Sequence, residues 1–309
     1  PSAPAVAGIL AFGARNFDIQ GAFDSLVAAA TKPTTKDLGK TGCPVSCTGQ
    51  RPSLDQWLEH GYIASESHAW GAAAETLEVA SADFGLAEIA RHLGDGKARE
   101  TFLRRADGWR HLFNPKATPE GGYIQNRTTK GSWPAFTPDT EDGFVEGSAA
   151  QYLWMQPFNP AGLVEILGGK DKTNARLDAY FRTPDGRWAL TRSGPLYAEL
   201  DNEPSIGAPW YYLYTGRPHQ AQDIVREAQN SLWLNAPEGI PGNDDLGQMS
   251  SWYVWTALGI YPAITGRAEM FLVAPRFPEA KINRPRGSIR ILAPEAGSTR
   301  PYVQGLRVN

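Results

Sequence analysis

The apolar residues change their spacing near residue 265, and that change constrains the fold more than any other feature of the chain. Before it, hydrophobic positions recur every three or four residues. Leu77, Ala80, Phe84 and Ala87 form one such stripe, with Glu75, Glu78, Glu88 and Arg91 largely on other faces. Ala98, Phe102 and Ala106 repeat it over 97–113, after the breaker Gly94-Asp95-Gly96. Further helices are expected over 18–31, 148–156, 160–168, 171–182, 217–233 and 249–260. They fall into pairs separated by Gly/Pro/Asn-rich loops, without solenoid-type self-similarity. After residue 268 the period is two: Met270–Val273, Lys281–Asn283, Ser288–Leu292 and Tyr302–Val308 read as strands. The expected organisation is a mainly α part over 1–264 and a β-rich segment over 265–309.

Composition narrows the function classes. Thirty Lys+Arg against 33 Asp+Glu leave a net charge of -3, without the basic excess of a nucleic-acid binder. No apolar run reaches membrane-spanning length. Ten Trp, eleven Tyr and twelve Phe are many, and rings beyond the needs of the core tend to line concave sites. The chain opens Pro1-Ser2-Ala3-Pro4 with no targeting segment and ends in a strand-like pattern, so truncation at both ends is expected. Cys43 and Cys47 share a polar loop and read as one short-loop disulfide or two free thiols. A metal reading would need more His or Cys than His60 and His68 supply. A disulfide would place the protein outside the cytoplasm.

Three acidic loops carry the chemistry. In Asp142–Trp154, Ser148 and Gln151 fit a capping box, leaving Glu146 just outside a helix mouth. The plain alternative is a solvated carboxylate near a helix N-terminus. In Tyr197–Ser205, Glu199, Asp201, Asn202 and Glu203 concentrate hard oxygen donors, which suit calcium; an acidic turn balanced by Arg is the alternative. In Pro241–Tyr253, Asp244 and Asp245 are adjacent, and Asp245 with Gln248 fits a second capping box, leaving Asp244 to point elsewhere. Two carboxylates held close would raise one pKa, which suits general-base work.

Other chemistries are poorly supported. There is no nucleophile elbow, P-loop or dinucleotide fingerprint, and the five His include no H-E-x-x-H. His92 and His111 fall near helix C-termini, where a cation is favourable. Asn126-Arg127-Thr128 is a formal glycosylation sequon of a kind common by chance. Carboxylates among aromatics on a helical scaffold match glycoside hydrolysis.

Taken together, these loops resemble glycoside hydrolase family 92, the calcium-dependent exo-acting α-mannosidases. The longest matching segment is Gly239-Ile240-Pro241-Gly242-Asn243-Asp244-Asp245-Leu246-Gly247-Gln248-Met249-Ser250-Ser251-Trp252-Tyr253, continuing through Ala257–Pro262. Val145-Glu146-Gly147-Ser148 and Asn202-Glu203-Pro204-Ser205 resemble its acid-bearing and third signatures, in matching order over roughly 60–280. The resemblance implies part of an (α/α)6 barrel with a C-terminal β segment, lacking an N-terminal β-sandwich partner. It implies Glu146 as general acid and Asp245 as base, with Asn243 or Asp244 assisting. It also implies Glu199, Asn243, Gln248 and Trp210 around the sugar, and Asn202 and Glu203 beside Ca2+.

The family inverts configuration, so acid and base should stand about 6.5–9.5 Å apart. The implied protein is secreted or periplasmic and acts on mannose-containing glycans. This sequence departs from the family pattern in three places. Ser148 and Ala149 follow the acid, Ile206 follows the Asn-Glu-Pro-Ser signature, and Ala198 stands where α-1,2-specific members carry His. Three alternatives follow: an uncapping-type enzyme for a mannose-1-phosphodiester, a non-catalytic carbohydrate-binding fragment, and a glucosidase or trehalase on the same barrel.

Overall fold

A computed structural model describes residues 2–34, 51–67, 70–284, 287–297 and 300–308. Cys43, Cys47 and His68 lie outside the described residues. The fold is mainly α with short antiparallel strand pairs, and it divides into two compact units, 1–159 with 264–268 and 160–263 with 269–309.

The first unit contains α1 (Ser2–Ala11), α2 (Ile19–Thr31), α3 (Leu54–His60), α4 (Ala72–Leu93), α5 (Gly96–Ala106), β1 (Phe113–Thr118), β2 (Gly121–Ile124) and α6 (Ala149–Tyr152). Asp18 caps α2 by accepting the Gly21 N–H at 2.9 Å. Gly94 ends α4 in the left-handed region, and Asp95 then caps α5 through the Ala98 N–H at 2.9 Å. The breaker tripeptide therefore makes a helix hairpin. Its core joins Ala3, Ala7 and Leu10 of α1 to Phe23, Leu86, Ala87, Ile89, Ala90 and Phe102.

Several expectations change in this unit. The helix expected over 97–113 stops at Ala106 and tightens into a 3-10 turn over Asp107–Leu112. The turn presses on α3, since a Cβ at Gly108 would lie 2.7 Å from the Gly61 carbonyl oxygen and 2.8 Å from the Trp57 ring. The helix expected over 148–156 is four residues long, ending at Tyr152. Glu88, expected off the apolar stripe, is nonetheless buried, and it is paired with Arg91 at 2.8 Å and Arg267 at 3.1 Å. Asp83, 0% exposed, is held by Arg51 (2.7 Å), Arg105 (2.7 Å) and the Trp57 indole N–H (3.0 Å). Asn126 is only 6% exposed, so its sequon presents no acceptor in the folded state.

The second unit contains α7 (Pro160–Ile166), α8 (Lys170–Phe181), α9 (Glu203–Ile206), α10 (Tyr211–Tyr214), α11 (Pro218–Ser231), α12 (Gln248–Leu258), β3 (Ile260–Tyr261), β4 (Phe271–Leu272), β5 (Glu279–Arg284) and β6 (Gly287–Leu292). β3 pairs antiparallel with β4, and β5 with β6 in unbroken register. Much of the aromatic content serves this core rather than a cleft. Trp233 stacks on Trp252 at 5.0 Å, and Trp210 on Tyr261 at 4.7 Å. The run Tyr302–Val308 is not a strand. Helix α11 takes its polar groups instead: Tyr302 Oη donates to Asp223 at 2.7 Å and the Val303 N–H to Gln222 at 2.8 Å.

Candidate active site

The first acidic loop is built as its sequence indicates. Ser148 and Gln151 form the reciprocal capping box of α6, with the Ser148 N–H donating to the Gln151 side chain at 2.9 Å and the Gln151 N–H to Ser148 Oγ at 3.3 Å. The Gly143 carbonyl accepts the Ala74 N–H at 3.0 Å, so the start of α4 holds the loop. Phe144 is buried against Tyr152, whose hydroxyl donates to the Val145 carbonyl at 2.7 Å. Between these anchors Glu146 is exposed and has φ 52°, a left-handed backbone that few non-glycine residues adopt.

The second and third loops meet in the second unit. Gly242, with φ 62°, lies against Asp201 so closely that a Cβ would sit 2.1 Å from the Asp201 carbonyl oxygen. The segment carrying Glu199, Asn202 and Glu203 is thereby brought beside the segment carrying Asn243, Asp244 and Asp245. A second contact supports the pair: the Trp252 indole N–H of α12 donates to the Ile206 carbonyl at 3.2 Å.

Buried groups fix the second loop from behind. Ser205 Oγ accepts the Glu199 N–H at 3.2 Å and bonds Tyr180 Oη at 2.7 Å, while the Ala198 N–H donates to the Tyr180 carbonyl at 3.0 Å. Burial pushes the Tyr180 phenol above its ordinary range, so it stays neutral as a hydrogen-bonding group. Asp201 accepts from Thr191 Oγ1 at 2.6 Å, and Asn202 caps α9 by accepting the Glu203 N–H at 3.0 Å. Sequence reasoning passed over Tyr180 and Ser205, which sit in ordinary helical and signature positions with no local sign of their pairing.

The third loop reverses one expectation. Asp245 and Gln248 form no capping box, because Gly247, in the left-handed region, takes the N-cap position of α12 without a side-chain bond. Asp244 serves the helix start instead, accepting the Ser250 N–H on one oxygen and Ser250 Oγ on the other, both at 2.8 Å. Those bonds hold the Asp244 carboxyl below the usual carboxylate range, the backbone donor contributing most. The raised pKa expected from adjacent carboxylates therefore does not fall on Asp244. Asp245 is exposed with φ 31°. Asn243 is exposed and Gln248 half-buried, its N–H donating to the Asp244 carbonyl at 2.6 Å. Trp210 is 2% exposed and packs on Tyr261, so it is a core ring here.

The sequence profile of glycosyl hydrolase family 92 catalytic domains matches residues 1–309. A protein described as an uncharacterized secreted glycosidase of Arthroderma benhamiae is 26% identical over 264 residues, covering 76% of this chain and 32% of its own length. Among solved structures, the inverting GH92 mannosidase BT2199 of Bacteroides thetaiotaomicron superposes with a TM-score of 0.82 at 26% identity, covering 98% of this chain and 41% of that one. The GH92 α-mannosidase BT3965 of the same organism gives 0.78 at 25% identity, covering 94% and 36%. The chain thus spans well under half the length of these relatives. A profile match over its whole length, a shared fold and the two acidic loops joined at Gly242 lead to one assignment: the chain belongs to glycosyl hydrolase family 92, within its catalytic domain.

Proposed function

We propose that this chain carries the catalytic residues of an inverting exo-α-mannosidase that removes terminal α-linked mannose from glycans with the help of calcium. The observation that supports the reading is the contact of Gly242 with the Asp201 carbonyl, which sets the backbones of two acidic loops against each other. The mannosidase activity of the two solved relatives supports it.

In this reading Glu146 protonates the departing oxygen, and Asp245 takes a proton from the water that attacks the anomeric carbon on the opposite face. Glu199, Asn243 and Gln248 would bond sugar hydroxyls. Asn202 and Glu203 are the proposed calcium donors. Their chemistry is oxygen-only, as calcium prefers, and unlike the His/Cys sets that hold zinc. Among the described residues no group of three or more His, Cys, Asp or Glu could hold a metal ion, so these two residues alone do not make a complete site. Backbone carbonyls, water and substrate hydroxyls would complete the shell. When bound, calcium supplies charge stabilisation and orients the mannose hydroxyls.

A secreted or periplasmic location belongs to the same proposal and is supported by the description of the Arthroderma benhamiae relative. Among the described residues no helix is long and apolar enough to cross a membrane. The β-sandwich partner is also part of the reading, and the greater length of the solved relatives leaves room for it. The test is hydrolysis of an α-mannoside followed by NMR. β-Mannose should form first and mutarotate later. First-formed α-mannose would overturn the inverting assignment, and no hydrolysis would overturn the activity.

A further inference from the structure

We propose that Asp244 is not an assisting base but the residue that positions Asp245, through a two-pronged hydrogen bond to Ser250. The inference rests on the reading of Asp245 as the base. Its starting point is the backbone between the two residues. Asp245, Leu246 and Gly247 have φ of 31°, 57° and 85°, three consecutive residues in the left-handed region. L-residues enter that region singly, because Cβ crowds the following carbonyl, so a run that includes Asp and Leu needs outside support. Side-chain packing does not provide it: Leu246 is 110% exposed.

What spans the run is Asp244. Its carbonyl accepts the Gln248 N–H at 2.6 Å, and its two carboxylate oxygens accept the Ser250 N–H and hydroxyl at 2.8 Å each. Asp244 thus flanks the left-handed run and bonds beyond its far end, where the Gln248 N–H is shared with the Asp245 carbonyl at 3.2 Å, and Asp245 is the first residue of the run. Asp244 turns both oxygens toward the helix start, whereas a base must offer one to the attacking water. Adjacent carboxylates in one acidic loop therefore have different jobs, and the hydrogen bonds show which is which.

The experiment compares D244A, S250A, S250T and D245A on an activated aryl α-mannoside, with and without azide. Loss of the base leaves a site in which azide can replace water. Its nitrogen bonds the anomeric carbon as the carbon–oxygen bond breaks, and a β-mannosyl azide accumulates. D245A should lose about 10³-fold or more in kcat and recover with azide. D244A and S250A should lose about 10- to 100-fold in kcat, the scale of a small misplacement, with KM nearly unchanged and no azide product. S250T, which keeps the hydroxyl, should regain most of the S250A loss. Azide rescue of D244A, or a wild-type rate for S250A, would overturn the proposal. Amide exchange at residue 250 gives a readout independent of activity, since D244A should expose that N–H. An unchanged exchange rate would also overturn it. Wild-type protein inert on mannosides, with the exchange shift present, would instead overturn the mannosidase reading.

Discussion

Glu146 and Asp245, the proposed acid and base, share a backbone state that side chains disfavour: φ is 52° at one and 31° at the other. Each sits in a loop whose flank is held firmly, by the Ser148–Gln151 capping box in one case and the Asp244–Ser250 pair in the other. Such backbone strain costs about 1–3 kcal/mol per residue and persists where the surroundings over-determine it.

Replacing Asp245 by Gly should therefore separate stability from activity. Glycine relieves the left-handed strain, so the urea midpoint should hold or rise by the equivalent of about 1 kcal/mol, while hydrolysis is lost. A clear drop in midpoint would show that the Asp245 side chain supports the fold.

Glu146→Gln keeps the shape of the side chain and removes its proton. Mannosides with poor leaving groups should lose about 10²–10⁴ in rate, and activated aryl mannosides far less. Equal loss on both would argue against an acid role.

Chelation tests the metal. Dialysis against EGTA should abolish hydrolysis, calcium should restore it, and zinc should not, given the oxygen-only donors Asn202 and Glu203. Full activity in excess chelator would remove calcium from the reading.

Gly242→Ala probes the junction of the two loops. A Cβ there meets the Asp201 carbonyl oxygen at 2.1 Å and sits at φ 62°, so one backbone must move. The expected cost is about 1–3 kcal/mol in denaturant unfolding, with activity falling as the loops part. Wild-type stability would mean that the contact yields freely.

The Asp244–Ser250 pair also makes stability depend on pH. The carboxyl of Asp244 is depressed in the folded state, so its contribution is present above the unfolded value and lost as pH falls through the folded one. The stability difference between wild type and S250A should be steady above about pH 5 and shrink below about pH 4, near the free aspartate value. Urea midpoints across that range decide it. A gap unchanged at acid pH would mean that the Ser250 contribution is not ionic.

The elements legible in the sequence are those whose cause is local. Helix α2 begins at Asp18, α6 begins with the Ser148–Gln151 box, and the α4–α5 hairpin turns at Gly94-Asp95, because a cap or breaker acts within about four residues of itself. The three acidic loops were visible for the same reason, as runs of unusual composition. What tertiary structure decided is where distant groups meet. Only the packed chain places Gly242 on Asp201, joins Tyr180 to Ser205, and buries Trp210 on Tyr261. The second capping box was locally plausible at Asp245 and Gln248, yet Gly247 turned left-handed and passed the helix start to Asp244. A local pattern states what a residue can bond. Which bond it makes depends on burial and on hydrogen bonds across the fold, since a polar group enclosed by packing must find its partner there.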